Sequence, residues 1–209
     1  MYLSDRDLKQ AIDEGQLIFE PYPQQIDPTS IDLHLDQVSE AKIWNTAELI
    51  AHHSLTGNQR PEVRIGTYTY GDFSRRFLST PPDFNNQSGE LVQKRGNQII
   101  VRTGGFLLWQ TREVVGTPTE AQFICFVDGK STRARAGIMV HLTAPTIHST
   151  WKGKITLEIA NLGPFDLVLQ EGDVIAQLTV AKITSSPAKN MIQTSQTFSQ
   201  GGVDGIGRA

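Results

Sequence analysis

Residues 106–144 read FLLWQTREVVGTPTEAQFICFVDGKSTRARAGIMVHLTA and contain the pattern that decides the fold. Three apolar segments rich in β-branched and aromatic residues, FLLWQTREVV, AQFICFV and GIMVHLT, are separated by stretches with Gly or Pro. Such residues favour strands, whereas Gly and Pro mark the turns between them. The stretch therefore predicts three short strands in succession.

The same pattern continues on both sides of this stretch. Further apolar segments are QIIVRT before it and KITLEIAN, DLVLQ and DVIAQLTVAKI after it, with turn residues such as TGG and LGP between them. Short strands at this spacing are typical of an all-β sandwich, jelly roll or distorted barrel. We therefore predict a mainly β fold.

The amino-terminal residues predict one helix followed by one strand. In residues 3–17, Ser4 is a candidate N-cap with Asp7 three residues later, and Gly15 can end the helix. Residues 28–36, PTSIDLHLD, alternate apolar and polar side chains, which is the period of a half-buried strand.

Two regions are less regular in sequence. Residues 45–105 are polar and rich in Gly, Pro-Pro and Asn-Asn breaks, which fits either a long insertion or a small decorated subregion. The Ser/Gln/Gly-rich end of the chain is either a frayed terminus or a flap that orders on a ligand. We predict a single domain over residues 1–209 with a flexible flap over 185–209.

Composition excludes several classes of function. The formal net charge of -3 argues against a general electrostatic grip on nucleic acid or an anionic membrane. No apolar run reaches the length of a membrane span, and the start MYLSDRDLKQ lacks the apolar core of a signal peptide. The single Cys125 cannot form an internal disulfide, so a cytoplasmic setting is expected, and it cannot supply the cysteine pair of a zinc-dependent nucleobase deaminase.

Residues 129–137, GKSTRARAG, crowd cations and hydroxyls into one turn. Ser131 or Thr132 can cap a single helical turn that Gly137 ends, and the first N–H groups of such a turn carry partial positive charge. Together with Lys130 and the two arginines, they make a candidate phosphate site. The alternative is a solvated basic turn between strands, and local sequence does not separate the two.

Glu158 is the second unusual residue. In KITLEIAN, the apolar side chains at 155, 157 and 159 alternate with Lys154, Thr156 and Glu158, so Glu158 lies on the second face of the strand. If that face is solvent, Glu158 is an ordinary surface residue. If it lines a pocket, Glu158 is suited to carrying protons, with a basic residue such as Arg135 orienting it.

These segments resemble the dCTP deaminases of the dUTPase superfamily, whose fold is a dUTPase-like distorted barrel. The resemblance covers most of the chain: LSDRDLKQAIDEGQL, PTSIDLHL, residues 106–144, WKGKITLEIANLG and EGDVIAQLTV match successive blocks of that family. GKSTRARAG stands where the family has Gly-Arg-Ser-Ser-Leu-Ala-Arg-x-Gly. Only the combination of blocks is specific.

The resemblance implies a chemistry. Glu158 falls on the family's catalytic glutamate, which takes a proton from water and returns it toward N3 of cytosine while the water adds to C4 and ammonia leaves. Ser131 falls beside the exocyclic amine, and Arg135 falls on the essential arginine near the glutamate. No protein-bound metal is implied; Mg²⁺ accompanies the triphosphate.

The resemblance also implies a binding set and an assembly. The residues implied to contact the nucleotide are Lys130, Thr132, Arg133, Ala134, His148, Trp151, Thr156, Leu157, Gln177 and Gln200. The family forms homotrimers whose sites are shared between subunits and act on dCTP, with dUTP as product and dTTP often an inhibitor.

Three departures from the family pattern stand out. His148 replaces an aspartate that helps to bind deoxyribose and that in dUTPases activates the attacking water, and Thr146 replaces an arginine. A Lys-Tyr-x-x-Gln cluster near the end is missing its lysine. His148 and Glu158 together favour deamination alone over phosphoanhydride hydrolysis. The alternatives are a dUTPase-like or bifunctional dCTP/dUTP pyrophosphatase, and a nucleotide-binding regulator without turnover.

Overall fold

The computed structural model describes residues 1–53, 56, 59, 61–62, 70–79 and 91–189. The strands of this part are β1 Ile18–Glu20, β2 Ile31–His34, β3 Ile43–Trp44, β4 Leu78–Ser79, β5 Val92–Arg95, β6 Gln98–Val101, β7 Phe106–Gly116, β8 Phe123–Gly129, β9 Ile138–Val140, β10 Thr146–Ile147, β11 Lys152–Asn161, β12 Leu167–Gln170 and β13 Val174–Lys182. Its helices are α1 Asp5–Asp13, α2 Thr46–His52, α3 Tyr70–Phe77 and α4 Ser131–Ala134, with a 3₁₀ turn at Val38–Glu40.

Two antiparallel four-stranded sheets form the body of the protein, in the orders β1-β7-β11-β9 and β10-β8-β13-β2. A three-stranded sheet, β12-β6-β5, and the pair β3-β4 complete the described part. The mainly β prediction is confirmed, and each strand predicted between residues 98 and 183 is present.

Strands β7 and β11 are the longest neighbours and carry much of the core. They pair from Lys152↔Gly116 to Ala160↔Phe106, with a register shift between Lys154 and Thr156. Trp109 and Leu157 oppose each other and are fully buried. Burial of each large apolar side chain contributes roughly 1.5–3 kcal/mol, so this face cannot turn outward. The buried face therefore dictates which β11 side chains remain for a site.

The amino-terminal prediction is confirmed in detail. The Ser4 side chain accepts from the Asp7 backbone N–H, and the Asp7 carboxylate accepts from the Ser4 N–H, which is a complete capping box. Leu8 and Ala11 are buried against the sheets. Gly15 follows the helix with φ +70°, a conformation that favours glycine.

A buried carboxylate joins the end of β2 to β7. Glu113 is only 1% exposed in its side chain, and it accepts from the backbone N–H of His34 at 2.8 Å and from Arg112 Nη2 at 3.0 Å. His34 Nδ1 lies 2.8 Å from the same carboxylate. A buried charge needs such partners, so the network secures β2 against β7.

The described part of residues 45–105 contains regular structure. Leu49, Phe73 and Phe77 form a small apolar cluster of their own with Trp44, which links α2 and α3. The β5–β6 hairpin pairs with β12 instead of remaining irregular. The domain limits stay a prediction, and residues 190–209 of the predicted flap lie outside the described residues.

Candidate active site

Glu158 lies on the face of β11 that the sequence singled out. Ile155, Leu157 and Ile159 are buried on one face, whereas Lys154, Thr156 and Glu158 are half-buried on the other. Glu158 pairs with Leu108, which in turn pairs with Lys42. Directly paired residues project to the same face of a sheet. Lys42 is only 7% exposed, so this second face is covered and is not an ordinary solvent surface.

A polar network fills the covered face beside Glu158. Asp36 is 6% exposed, and its Oδ2 accepts from Lys154 Nζ at 2.5 Å and from Gln110 Nε2 at 2.6 Å. Burial raises the pKa of Asp36, but the hydrogen bonds from Lys154 and Gln110 outweigh it and hold the pKa below its ordinary value. Burial lowers the pKa of Lys42, and the negative charge of Glu40 offsets part of this lowering. These contacts hold the neighbours of Thr156 and Glu158 in place.

The Asp36 network predicts a pH dependence of stability. Because the folded-state pKa is depressed, its contribution is present above the unfolded-state pKa near 3.8 and is lost as pH falls through the folded-state value. Asp36→Asn is expected to lower the free energy of unfolding near neutral pH, with the difference shrinking below about pH 4. Urea unfolding across that range measures it. An exposed control, Asp166→Asn, is expected to show no such convergence.

His141 contacts Glu158 and was not singled out from the sequence. Its Nδ1 lies 3.0 Å from Glu158 Oε2, with side chains 6% and 30% exposed, and its backbone N–H donates to the Glu158 carbonyl at 2.9 Å. His141 has φ +61°, which is uncommon outside glycine. One histidine in MVHLT looks like an ordinary core residue, so only the pairing of β9 with β11 reveals it.

Some polar atoms of the Glu158–His141 pair make no hydrogen bond with the described residues. Both ring nitrogens of His141 and Oε2 of Glu158 are buried without a hydrogen-bond partner in the described part of the chain, because the 3.0 Å approach is not aligned as a hydrogen bond. Buried polar atoms are normally paired, so orphaned ones call for a ligand or water. The pair can therefore bind a polar ligand and exchange a proton with it.

The cationic turn is a single helical turn, as expected, but its cap differs. Lys130 has extended backbone angles and is the N-cap, without a side-chain cap, whereas Ser131 is already the first helical residue. The predicted capping role of Ser131 or Thr132 was therefore wrong, because β8 runs to Gly129 and the chain turns one residue earlier. Gly137 has φ +87°, and a Cβ there would meet Gly163 at 2.3 Å, so glycine is required.

The side chains that follow Lys130 in this turn do not pack into the hydrophobic core. The side chains at 131–135 are exposed: Ser131, Thr132, Arg133, Ala134 and Arg135. Among the described residues, no ion pair or side-chain hydrogen bond joins Ser131 or Arg135 to Glu158. The strand after the turn pairs Ile138 with Asn161, roughly 10 Å along β11 from Glu158 at 3.3 Å per residue. The described contacts therefore do not join the turn to Glu158 within one chain.

Gln177 lies on β13 of the other sheet, and Lys130 directly follows β8 of that sheet. Lys130 Nζ is 2.5 Å from Asp32 Oδ1 and 3.4 Å from Asp27 Oδ2. Gln177 is half-buried on β13, where it pairs with Asp32 on one side and Asp128 on the other. Both residues predicted to contact a nucleotide therefore have carboxylates next to them.

The turn at residues 146–151, TIHSTW, is held in place by hydrogen bonds of its backbone. Thr150 has φ +72°, which is strained for a β-branched residue, and its N–H donates to Thr117 Oγ1 at 2.7 Å. The Trp151 N–H donates to the His148 carbonyl, leaving the His148 side chain exposed and Trp151 half-buried. Among the remaining predicted residues, Leu157 is buried, so only its backbone is available, and Gln200 lies outside the described residues.

In the described part of the chain, no three His, Cys, Asp or Glu side chains are grouped to hold a metal ion. Cys125 is buried, and burial raises its pKa to about 12, which makes it an inert core thiol. No helix among the described residues is long and apolar enough to cross a membrane.

Fold and site together define a class of protein: antiparallel β-sheets presenting a half-buried glutamate and, apart from it, a cationic hydroxyl-rich turn. The chain belongs to the dCTP deaminase-like family, whose model matches residues 2–183. The suspected resemblance is thereby confirmed.

Known relatives agree with this assignment. The chain is 31% identical over 193 residues to a dCTP deaminase, dUMP-forming, of Dictyoglomus thermophilum, and 30% identical over 192 residues to a dCTP deaminase of Natronomonas pharaonis; each alignment covers 90% of this chain and 84% of the relative. The crystal structure of 2'-deoxycytidine 5'-triphosphate deaminase from Agrobacterium tumefaciens shares the fold, with a TM-score of 0.54 and 18% identity. That match covers 86% of this chain, which spans 47% of the crystallised chain.

Proposed function

We propose that this protein hydrolyses dCTP to dUTP and ammonia. The observation that carries the proposal is Oε2 of Glu158, which is buried without a hydrogen-bond partner among the described residues and lies 3.0 Å from Nδ1 of the buried His141. A carboxylate on a covered polar face, with an oxygen not used in a hydrogen bond, is suited to take a proton and give it back. The names of the relatives supply the substrate class.

The proposed reaction needs two proton movements at Glu158. The carboxylate accepts a proton from water as the water oxygen bonds to C4 of the cytosine, and it delivers that proton to N3. In the tetrahedral intermediate the proton of the new C4 hydroxyl moves to the amino group, the C4–N bond breaks, ammonia leaves and the C4 carbonyl forms. Atoms balance without a redox partner: dCTP and water give dUTP and ammonia.

The turn at 129–137 is assigned to the ligand in the same proposal. Ser131 lies beside the exocyclic amine, Arg135 orients Glu158, and Thr132 and Arg133 hold phosphates of the magnesium complex of dCTP. Because no hydrogen bond or ion pair joins Arg135 to Glu158 among the described residues of one chain, the proposal takes the turn of each site from a neighbouring subunit. A homotrimer satisfies this requirement and is proposed as the active form.

A cytoplasmic setting is proposed from the lone, buried Cys125.

The product distinguishes two kinds of relative. Some are dUMP-forming and others are named dCTP deaminase alone. Phosphoanhydride hydrolysis needs a base that activates water, and the TIHSTW turn offers an exposed imidazole at His148 in place of a carboxylate. This substitution favours dUTP as the final product.

The test is to supply magnesium with dCTP, and separately with dUTP, and to resolve nucleotides, ammonia and pyrophosphate. Ammonia and dUTP in equal amounts from dCTP, without pyrophosphate, are the expected result. Pyrophosphate from dUTP would show that His148 does not prevent the second hydrolysis. Nucleotide binding without any product would contradict the deaminase and support a regulator.

A further inference from the structure

Lys130 projects away from the turn that it begins. Asp128, Gln177 and Asp32 form one row across β8, β13 and β2, whose neighbours lie about 4.8 Å apart. Lys130 follows β8, yet its ammonium contacts Asp32 on β2. The side chain therefore reaches across β13 toward β2.

Two carboxylates hold this ammonium. The contacts are 2.5 Å to Asp32 and 3.4 Å to Asp27, and the three side chains are 22%, 34% and 32% exposed for Lys130, Asp32 and Asp27. We call Asp27 and Asp32 the carboxylate clamp. The hydrogen bond that the Lys130 ammonium donates to Asp32 raises the pKa of Lys130, so the ammonium stays charged. Two negative charges on one positive charge leave a net negative group.

The surroundings add to this negative charge. The clamp lines a cavity of about 430 Å³ that also contains Glu113 and Arg112, and Arg112 is already bonded to Glu113. Asp128 is exposed at the far end of the row. A polyphosphate that approaches Lys130 thus meets carboxylates whose nearby cations are already paired.

We propose that the carboxylate clamp withholds the Lys130 ammonium from the phosphates of the ligand, so that polyphosphate binding requires Lys130 to leave Asp32. The inference rests on the proposed function, because it takes a polyphosphate as the ligand of residues 129–137. Asp32 thereby sets the affinity for the triphosphate although it does not contact the reacting base.

The test measures binding of inorganic tripolyphosphate by calorimetry to the wild type and to Asp32→Asn. Freeing one charge-assisted contact is expected to tighten binding about tenfold. Asp128→Asn removes a carboxylate from the same row without freeing Lys130 and is expected to change binding by no more than about twofold. Asp27→Asn, at the longer contact, is expected to give a smaller gain than Asp32→Asn.

A second comparison separates the clamp from a general charge effect. In a Lys130→Met background, Asp32→Asn is expected to give only the small change seen with Asp128→Asn, because no ammonium remains to be freed. Three results would contradict the proposal that the carboxylate clamp withholds Lys130. They are a full gain in affinity in the Lys130→Met background, weaker binding of tripolyphosphate by Asp32→Asn, and no binding of tripolyphosphate by any variant. Thermal denaturation confirms that each variant is folded.

The experiments distinguish a wrong clamp hypothesis from a wrong proposed function. Tripolyphosphate binding is measured without turnover, so it is informative even if dCTP releases no ammonia. Conversely, ammonia release by the wild type supports the deaminase whatever Asp32→Asn does.

Discussion

Replacing Glu158 with glutamine will lower the rate of ammonia release from dCTP by about 10²–10⁴-fold. The amide keeps the size of the side chain next to His141, which lies 3.0 Å away, but it cannot accept and return a proton. Loss in kcat with little change in nucleotide affinity is expected, since the missing step is chemical. Single-turnover kinetics and calorimetric binding of dCTP measure the two quantities separately.

The matched control for this variant is Glu171→Gln, which makes the same chemical change at an exposed turn before Gly172. It is expected to keep the wild-type rate. A Glu158→Gln protein that is folded and releases ammonia within about tenfold of wild type would remove Glu158 from the proton transfer. A variant that has lost both turnover and binding would instead indicate a role in holding the ligand.

Mixing two inactive variants is expected to restore activity. Arg135→Met and Glu158→Gln each damage the proposed site, but the described contacts leave these two side chains unconnected within one chain. If each site takes the turn from one subunit and Glu158 from the next, co-refolded mixtures regain intact sites. For random assembly with one such pair per interface, roughly a quarter of the sites are intact.

The control mixture pairs Arg135→Met with Ser131→Ala. Both changes lie in the same turn, so no combination of subunits rebuilds a complete turn, and no recovery is expected. The assay is ammonia release after the mixed oligomers have been isolated by size-exclusion chromatography. Mixed oligomers of Arg135→Met and Glu158→Gln without recovered activity would contradict a site shared in this way.

The predictable features of this chain are those with a local physical cause. The alternation of KITLEIAN placed Glu158 opposite the buried face of β11 before any fold was known, because side chains of a strand point alternately to two sides. The capping box of Ser4 and Asp7 joins residues three positions apart, so it could also be predicted from the local sequence. The position of α4 was also local, although its cap differed by one residue, where β8 ends at Gly129.

Tertiary structure decided the partners of these residues. His141 reaches Glu158 only because β9 pairs with β11 in one register and the backbone turns to φ +61° there. Lys130 reaches Asp32, 98 residues earlier in the chain, only because β13 lies between β8 and β2. The sequence by itself thus determined the strands, the faces and the charged turn, since these follow from neighbours along the chain. Which charges meet across the sheets depends on strand order and register, and those arise only when distant apolar faces pack together.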